Sequence, residues 1–213
     1  MGEHLDSPSD ENVYISPRYR KDDWRQLDLT KRESHDWEMA VNIFLDRING
    51  RFLIPIDRII NYPDWKVSEF SGFLVIAIDC LLIETLNQFY RGENETTGYH
   101  GDAFWEFFNR SKFFQKEIDS KRKAIIFYQH FRCGILHQAQ TKNLSRIRIN
   151  MSSMIQESEK GNFSAGFTID RNKFHQALID EINDYAKNLR TPTTPNDYDL
   201  RSKFLSKMSF IVS

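Results

Sequence analysis

The chain has 213 residues, with 29 Lys and Arg against 30 Asp and Glu, a net charge of −1 and a pI near 6.6. That length suits one large domain with a real core, and the charge balance excludes a protein that gathers nucleic acid through a global positive field. An RNA partner would need a local basic groove. Hydrophobic residues at 40% and charged ones at 28% are ordinary for a soluble globular protein. Seventeen Phe beside nine Gly and six Pro favour long helices with bulky faces over turn-rich strands. Two cysteines, Cys80 and Cys133, are too few for a disulfide framework, and neither CxxC nor HExxH occurs. A reducing cytoplasm fits best. The residues after Met1 have no signal-peptide pattern, and the most apolar stretch, 73–78, is interrupted by Asp79 and Glu84. It is too short to span a bilayer, so no membrane partner is expected.

Residues 1–30 are polar and aperiodic, and read as a loose arm tied down by Trp24. Residues 31–213 form the single helical domain. Ser34 caps an amphipathic helix in which Trp37, Val41, Phe44, Leu45 and Ile48 form one stripe, ending at Asn49-Gly50. Pro55 and Pro63 punctuate a short connection. Ser68 opens the strongest helix, apolar nearly all round and ended by Gly92, which should be the central buried helix. Residues 92–101 read as a polar loop, and 104–108 as a short aromatic helix that belongs to the core or to a dimer contact. A further helix runs from near Ile118 through Ala139. The period then changes: Arg146-Ile147-Arg148-Ile149 alternates, and 163–169 is apolar again, which predicts a small β-hairpin or meander within 145–169. Asp170 caps an amphipathic helix carrying Phe174, Leu178, Ile182, Tyr185 and Leu189. Thr191-Pro192-Thr193-Thr194-Pro195 breaks it before a short terminal helix. The fold class is mainly α, a helical bundle with a small β-hairpin after the motif helix.

The chemistry concentrates in the segment 127–139, where Arg132 and His137 lie five positions apart near a helix end. Arg is permanently cationic and forks onto phosphate oxygens, whereas His exchanges protons near neutral pH. Together they are the minimum set for cleaving RNA without metal. His moves a proton at the 2′-hydroxyl or the leaving oxygen, and Arg stabilises charge on the phosphorane. In this motif, and in the long hydrophobic helix that precedes it, the sequence resembles the HEPN superfamily of helical ribonucleases found in toxins, abortive-infection systems and CRISPR-associated effectors. The resemblance covers residues 35–140 in architecture and two residues in motif. It implies a HEPN-like bundle, a metal-independent endoribonuclease with Arg132 and His137 as catalytic residues, a toxin or antiphage role, and an antitoxin or other defence subunit as a further partner. Many members carry a polar residue directly after the Arg, where this chain has Cys133, and a Tyr two residues after the His, where it has Ala139.

Five positions on an ideal helix correspond to roughly 140° of rotation, so Arg132 and His137 do not share one face. Two such helices meeting about a two-fold axis bring two Arg–His pairs around one cleft, the composite site typical of HEPN relatives, and a homodimer is expected. Glu84 and Asp79 are acids in the most apolar helix, where burial demands a partner. Glu84 is expected to orient Arg132 or His137 from across the bundle, with an ordinary buried salt bridge as the bland alternative. His130 is a second auxiliary candidate. His130, Cys133 and His137 share a helical stripe, but a structural metal site wants four ligands, so neither metal nor cofactor is expected. Lys142, Arg146 and Arg148 form a candidate phosphate track on the strand. Gly134, inside the motif helix, permits a close approach or is a tolerated imperfection. The competing hypothesis is a catalytically inactive HEPN-like module that binds a protein or nucleotide partner. The departures at Cys133 and Ala139 favour it, and the intact Arg132–His137 pair favours the enzyme.

Overall fold

The computed structural model describes residues 12–213, and the earliest residues of the expected arm lie outside them. Its centre is α5 (Gly72–Arg91), with Val75, Ile76, Cys80, Leu82, Ile83, Leu86 and Phe89 buried. The helix stops where expected: Gly92 adopts φ 73, the left-handed cap that glycine enters without a Cβ penalty. Among the described residues this is the one helix long and apolar enough to cross a membrane, and more than half of it is buried within the protein, as in the core helix of a soluble protein. The start differs from the expected Ser68. Asp64 caps α4 (Trp65–Phe70), and a break at Ser71 separates it from α5. Arg171 fills that break, donating to the Ser68 carbonyl and the Ser71 hydroxyl.

The N-terminal part of the described chain is docked. Trp24, in α1 (Lys21–Arg25), is buried against Phe204. Asp46 accepts from the Ser16 hydroxyl at 2.7 Å, the Arg18 N–H at 2.9 Å and the Arg18 guanidinium at 2.7 Å. Asp46 belongs to α2 (Asp36–Ile48), which does not end at Asn49-Gly50. It continues through a π turn (Asn49–Leu53) into α3 (Ile54–Ile60). Pro55 therefore lies inside a helical run, where a widened turn accommodates the crowding and lost donor of a proline ring. Gly50 is needed for packing, since a Cβ there would sit 2.3 Å from Pro17 Cγ.

The aromatic helix is α6 (His100–Arg110), whose Phe104, Phe107 and Phe108 are core. The motif helix comprises α7 (Lys121–Phe127), a π turn (Tyr128–Arg132) and α8 (Cys133–Gln138). The expected hairpin is corrected to a three-stranded mixed sheet in the order β1 (Arg146–Arg148), β3 (Phe167–Asp170), β2 (Ile155–Glu157). β1 and β3 run parallel, with Ile147 opposite Ile169, so they cannot form a hairpin; β2 supplies the antiparallel partner. Two long helices finish the chain, α9 (Arg171–Arg190) capped by Asp170, and α10 (Pro195–Val212), much longer than the expected short helix. The protein is thus mainly helical with a small sheet.

Burial alone would raise the Asp46 carboxyl, but the Ser16 hydroxyl and Arg18 outweigh it and hold it below the usual carboxylate value. A lowered folded-state value means stability present above the ordinary carboxylate pKa and lost as pH falls through the folded one. Asp46→Ala should lower the melting temperature by about 2–4 °C and speed amide exchange across residues 12–25. Unchanged exchange there would show that Asp46 does not anchor this segment.

Candidate functional site

Ser120 caps α7 by accepting the Lys123 N–H. The helix would be expected to continue regularly, but at Tyr128 it widens, and the Cys133 N–H donates to the Tyr128 carbonyl five residues back. Tyr128 and Cys133 are brought into register, which sets the thiol beside the phenol. Burial, then that thiol contact, pushes the Tyr128 hydroxyl up to about 12. On the opposite side of the turn, Phe131 stacks on Phe127 at 4.9 Å in the core.

Arg132 ends the π turn and points at α5. Its Nε donates to Glu84 Oε1 at 3.2 Å and its Nη2 to Oε2 at 3.4 Å, the fork-on-carboxylate geometry that matches guanidinium shape. The side chains retain 20% and 16% exposure, so the pair lies at the surface margin of the bundle. Burial would lower the Arg132 pKa, but the Glu84 carboxylate outweighs it and raises the value. Among the described residues Nη1 has no hydrogen-bond partner. A third group arrives from α6: His100 Nδ1 lies 3.8 Å from Glu84 Oε1, and its ring lies parallel to that of Tyr128 within 3° at 6.5 Å.

His137 lies in the last turn of α8, exposed and without a hydrogen-bonding or charged partner among the described residues. Because the π turn ends at Arg132, the stretch from Arg132 to His137 is regular α-helix and the two residues remain roughly 140° apart. Beyond it the chain reverses sharply, with Ala139 at φ 52 and Asn143 at φ 54. The returning loop lies so close that a Cβ on Gly134 would sit 2.5 Å from the Gln140 carbonyl oxygen. Gly134 is therefore a requirement of packing.

His130 does not join Arg132. It is buried, with Asn143 Nδ2 donating to Nε2 at 2.9 Å and Nδ1 3.0 Å from the Ser145 hydroxyl. Since Nε2 accepts, Nδ1 carries the proton, and the ring is a neutral strut between helix and loop. Burial first and the Lys142 charge second keep its pKa below the ordinary value. The residue expected as an auxiliary group thus sits in a helix-to-loop strut, bonded to Asn143 and Ser145. The candidate phosphate track is also divided. Lys142 is half-buried, its backbone N–H donating to the His130 carbonyl, and Arg146 Nη1 folds back onto the Ser145 carbonyl at 2.8 Å. Arg148 is exposed at the edge of a cavity of about 530 Å³ that also touches Phe70, Phe73 and Ile147.

The structure thus brings Arg132, Glu84, His100, Tyr128 and Cys133 together, and leaves His137, Arg146 and Arg148 outside that group. Sequence reasoning missed His100, which lies 32 positions before Arg132 at a loop-to-helix junction with no periodic signal. No protein-family model, curated protein or solved structure matches this chain.

Two outcomes follow from this geometry. Glu84→Leu should cost about 1–3 kcal/mol, the range for stranding a partly buried partner, while Glu84→Gln, which keeps a hydrogen-bond acceptor, should cost less. Equal and negligible effects in urea unfolding would make Glu84 a bystander. For His130, a folded-state pKa below the ordinary 6.5 means stability present above that value and lost as pH falls below it. His130→Gln should show a smaller loss between pH 7.5 and 5.5 than wild type, and an equal loss would contradict the strut.

Proposed function

We propose that the chain is a metal-independent endoribonuclease of HEPN type that acts as a homodimer in the cytoplasm, in a toxin or antiphage setting. The supporting observation is the state of Arg132: one edge of the guanidinium is anchored on Glu84, and Nη1 is left over at a partly open surface. Anchoring pre-organises the cation, so little freedom is lost when a phosphate oxygen takes the remaining edge. His137 follows on the exposed end of the same helix, where an imidazole can exchange protons with substrate.

The reaction needs no added reagent. The ribose 2′-oxygen attacks the adjacent phosphorus as its proton leaves, the P–O5′ bond breaks, and the 5′-oxygen takes a proton. The products are a 2′,3′-cyclic phosphate and a 5′-hydroxyl. Arg132 stabilises the added charge on the phosphorane. A second copy completes the site, because one helix separates its Arg and His by roughly 140°. Leu81 on α5, three residues before Glu84, and Leu136 on α8, four residues after Arg132, are large exposed apolar side chains, and the face that bears them would receive the second copy. Antitoxin or other defence subunits are further proposed partners.

The Arg132–Glu84 fork also favours a second reading, in which both residues only hold α8 to α5 and the module binds a protein or nucleotide without cutting. Recombinant protein with total RNA and EDTA separates the two. The enzyme should leave 2′,3′-cyclic phosphate ends, and Arg132→Ala and His137→Ala should each lose about 10²–10⁴-fold in rate while staying folded. Light scattering should give twice the 25.3 kDa chain mass, falling to one with Leu81→Glu plus Leu136→Glu. Undiminished cleavage by His137→Ala would remove that residue from the chemistry. A folded wild type inert toward RNA would favour the binding module.

A further inference from the structure

We propose that His100 is a second proton-transfer residue of the Arg132 site, its imidazole aimed by the same carboxylate that holds the guanidinium. The inference rests on the ribonuclease reading above and adds a residue that neither the motif nor its spacing indicates. His100 is the first residue of α6, and the loop before it is fastened at both ends. Arg91 pairs with Glu93 and with Glu106, and the Tyr99 hydroxyl donates to Glu93. Gly101, next in the chain, lies against α7 and the π turn, since a Cβ there would meet Ile125 and Tyr128 at ordinary contact distances. The position of the His100 backbone is therefore set by packing on both sides.

The ring itself is flanked on two sides. Tyr128 lies parallel to one of its faces, and Glu84 Oε1 lies 3.8 Å from Nδ1. Nδ1 is buried and has no hydrogen-bond partner, while the side chain as a whole keeps 40% exposure, so its solvent-facing part lies on the Nε2 side. A buried nitrogen without a bond, next to a carboxylate slightly beyond bonding distance, closes into one with a small rotation. Catalytic contacts are commonly long in unliganded sites and tighten around substrate. A carboxylate that accepts a hydrogen bond from Nδ1–H fixes the tautomer in which outward Nε2 is the free base, the arrangement that hydrolases use to orient a histidine. Glu84 has lone pairs for both tasks, since each oxygen accepts one bond from Arg132 and can accept another.

The roles then divide as the chemistry requires. His100 Nε2 takes the 2′-hydroxyl proton as the O2′–P bond forms, and Arg132 Nη1 faces the phosphate oxygens. His137 delivers a proton to the departing 5′-oxygen as P–O5′ breaks. Base and phosphate clamp come from one chain, while the acid lies on the exposed helix end that a second copy approaches. His137, with nothing to orient it in the single chain, suits a role completed on assembly. His100, flanked by Glu84 and Tyr128 within the single chain, suits the base.

Full-length wild type, His100→Ala, His100→Gln and His137→Ala are compared on a defined RNA in EDTA across pH 5–9, with folding checked by circular dichroism. His100→Ala should lower kcat by about 10²–10³-fold with KM changed less than about threefold, and should lose one limb of the bell-shaped pH profile. His137→Ala should lose the other limb. A readout independent of turnover is the ¹⁵N spectrum of the His100 imidazole, which should show the Nδ1–H tautomer in wild type and tautomer mixing in Glu84→Gln. Active wild type with an unchanged rate and full bell in His100→Ala overturns the role of His100 and leaves the ribonuclease reading standing. A wild type that cuts no RNA overturns both.

Discussion

A carboxylate on a helix that is apolar nearly all round has to meet a cation or a donor, and α5 carries two of them five residues apart. Asp79, fully buried, meets His175 Nδ1 of α9 at 2.6 Å. Glu84, nearer the surface, meets Arg132 at the end of the π turn that precedes α8. Burial pushes the Asp79 carboxyl above the ordinary carboxylate value against the pull of His175, whereas the Glu84 charge raises the Arg132 pKa. Each contact ties a different helix to the centre. The α5–α9 seam is pinned again at both ends, by Arg171 on Ser68 and Ser71 and by Glu181 accepting the Tyr90 hydroxyl. Apolar packing of the same faces would tolerate sliding; polar contacts at separated points do not, because a slip strands buried groups.

What the sequence made legible follows from where its signals are local. The apolar run of α5, its glycine stop at Gly92 and the Asp170 cap of α9 depend on neighbours within one or two turns, and they lie where the pattern places them. The π turns at 49–53 and 128–132 have no such mark, because an inserted residue is tolerated only through contacts made elsewhere, such as Pro17 on Gly50. The sheet was half legible. The apolar residues of β3 and the alternation of β1 were visible, but β2 carries Gln and Glu after Ile155 and has no strand pattern, so neither its antiparallel pairing with β3 nor the parallel pairing of β1 with β3 could be read. At the site, an acid on the apolar helix pointed to a basic partner, which is Arg132. The loop–helix junction that delivers His100 had no periodicity to read, and the burial of His130 depends on Asn143 and Ser145 folding back over it.

The π turn links these levels. By widening the helix at Tyr128 it aligns Tyr128 with Cys133 and ends at Arg132, while Phe131 stays in the core. One local expansion thus places an aromatic ring, a thiol and a guanidinium around Glu84, and Tyr128 in turn offers its face to His100. The loop beyond α8 then seals the lower side through Gly134 and His130. What remains open is the Arg132 edge and the helix end bearing His137, which is the geometry that the proposed function uses.

The site depends on Glu84 and Arg132 acting as one unit, and a double-mutant cycle tests that directly. Urea unfolding of wild type, Glu84→Gln, Arg132→Gln and the double variant gives the coupling free energy between the two side chains. A coupling of about 1 kcal/mol or more, within the range for residues in direct contact, is the expected result. Effects that add to within about 0.3 kcal/mol would mean that the two groups do not depend on each other, and would contradict the site described around them.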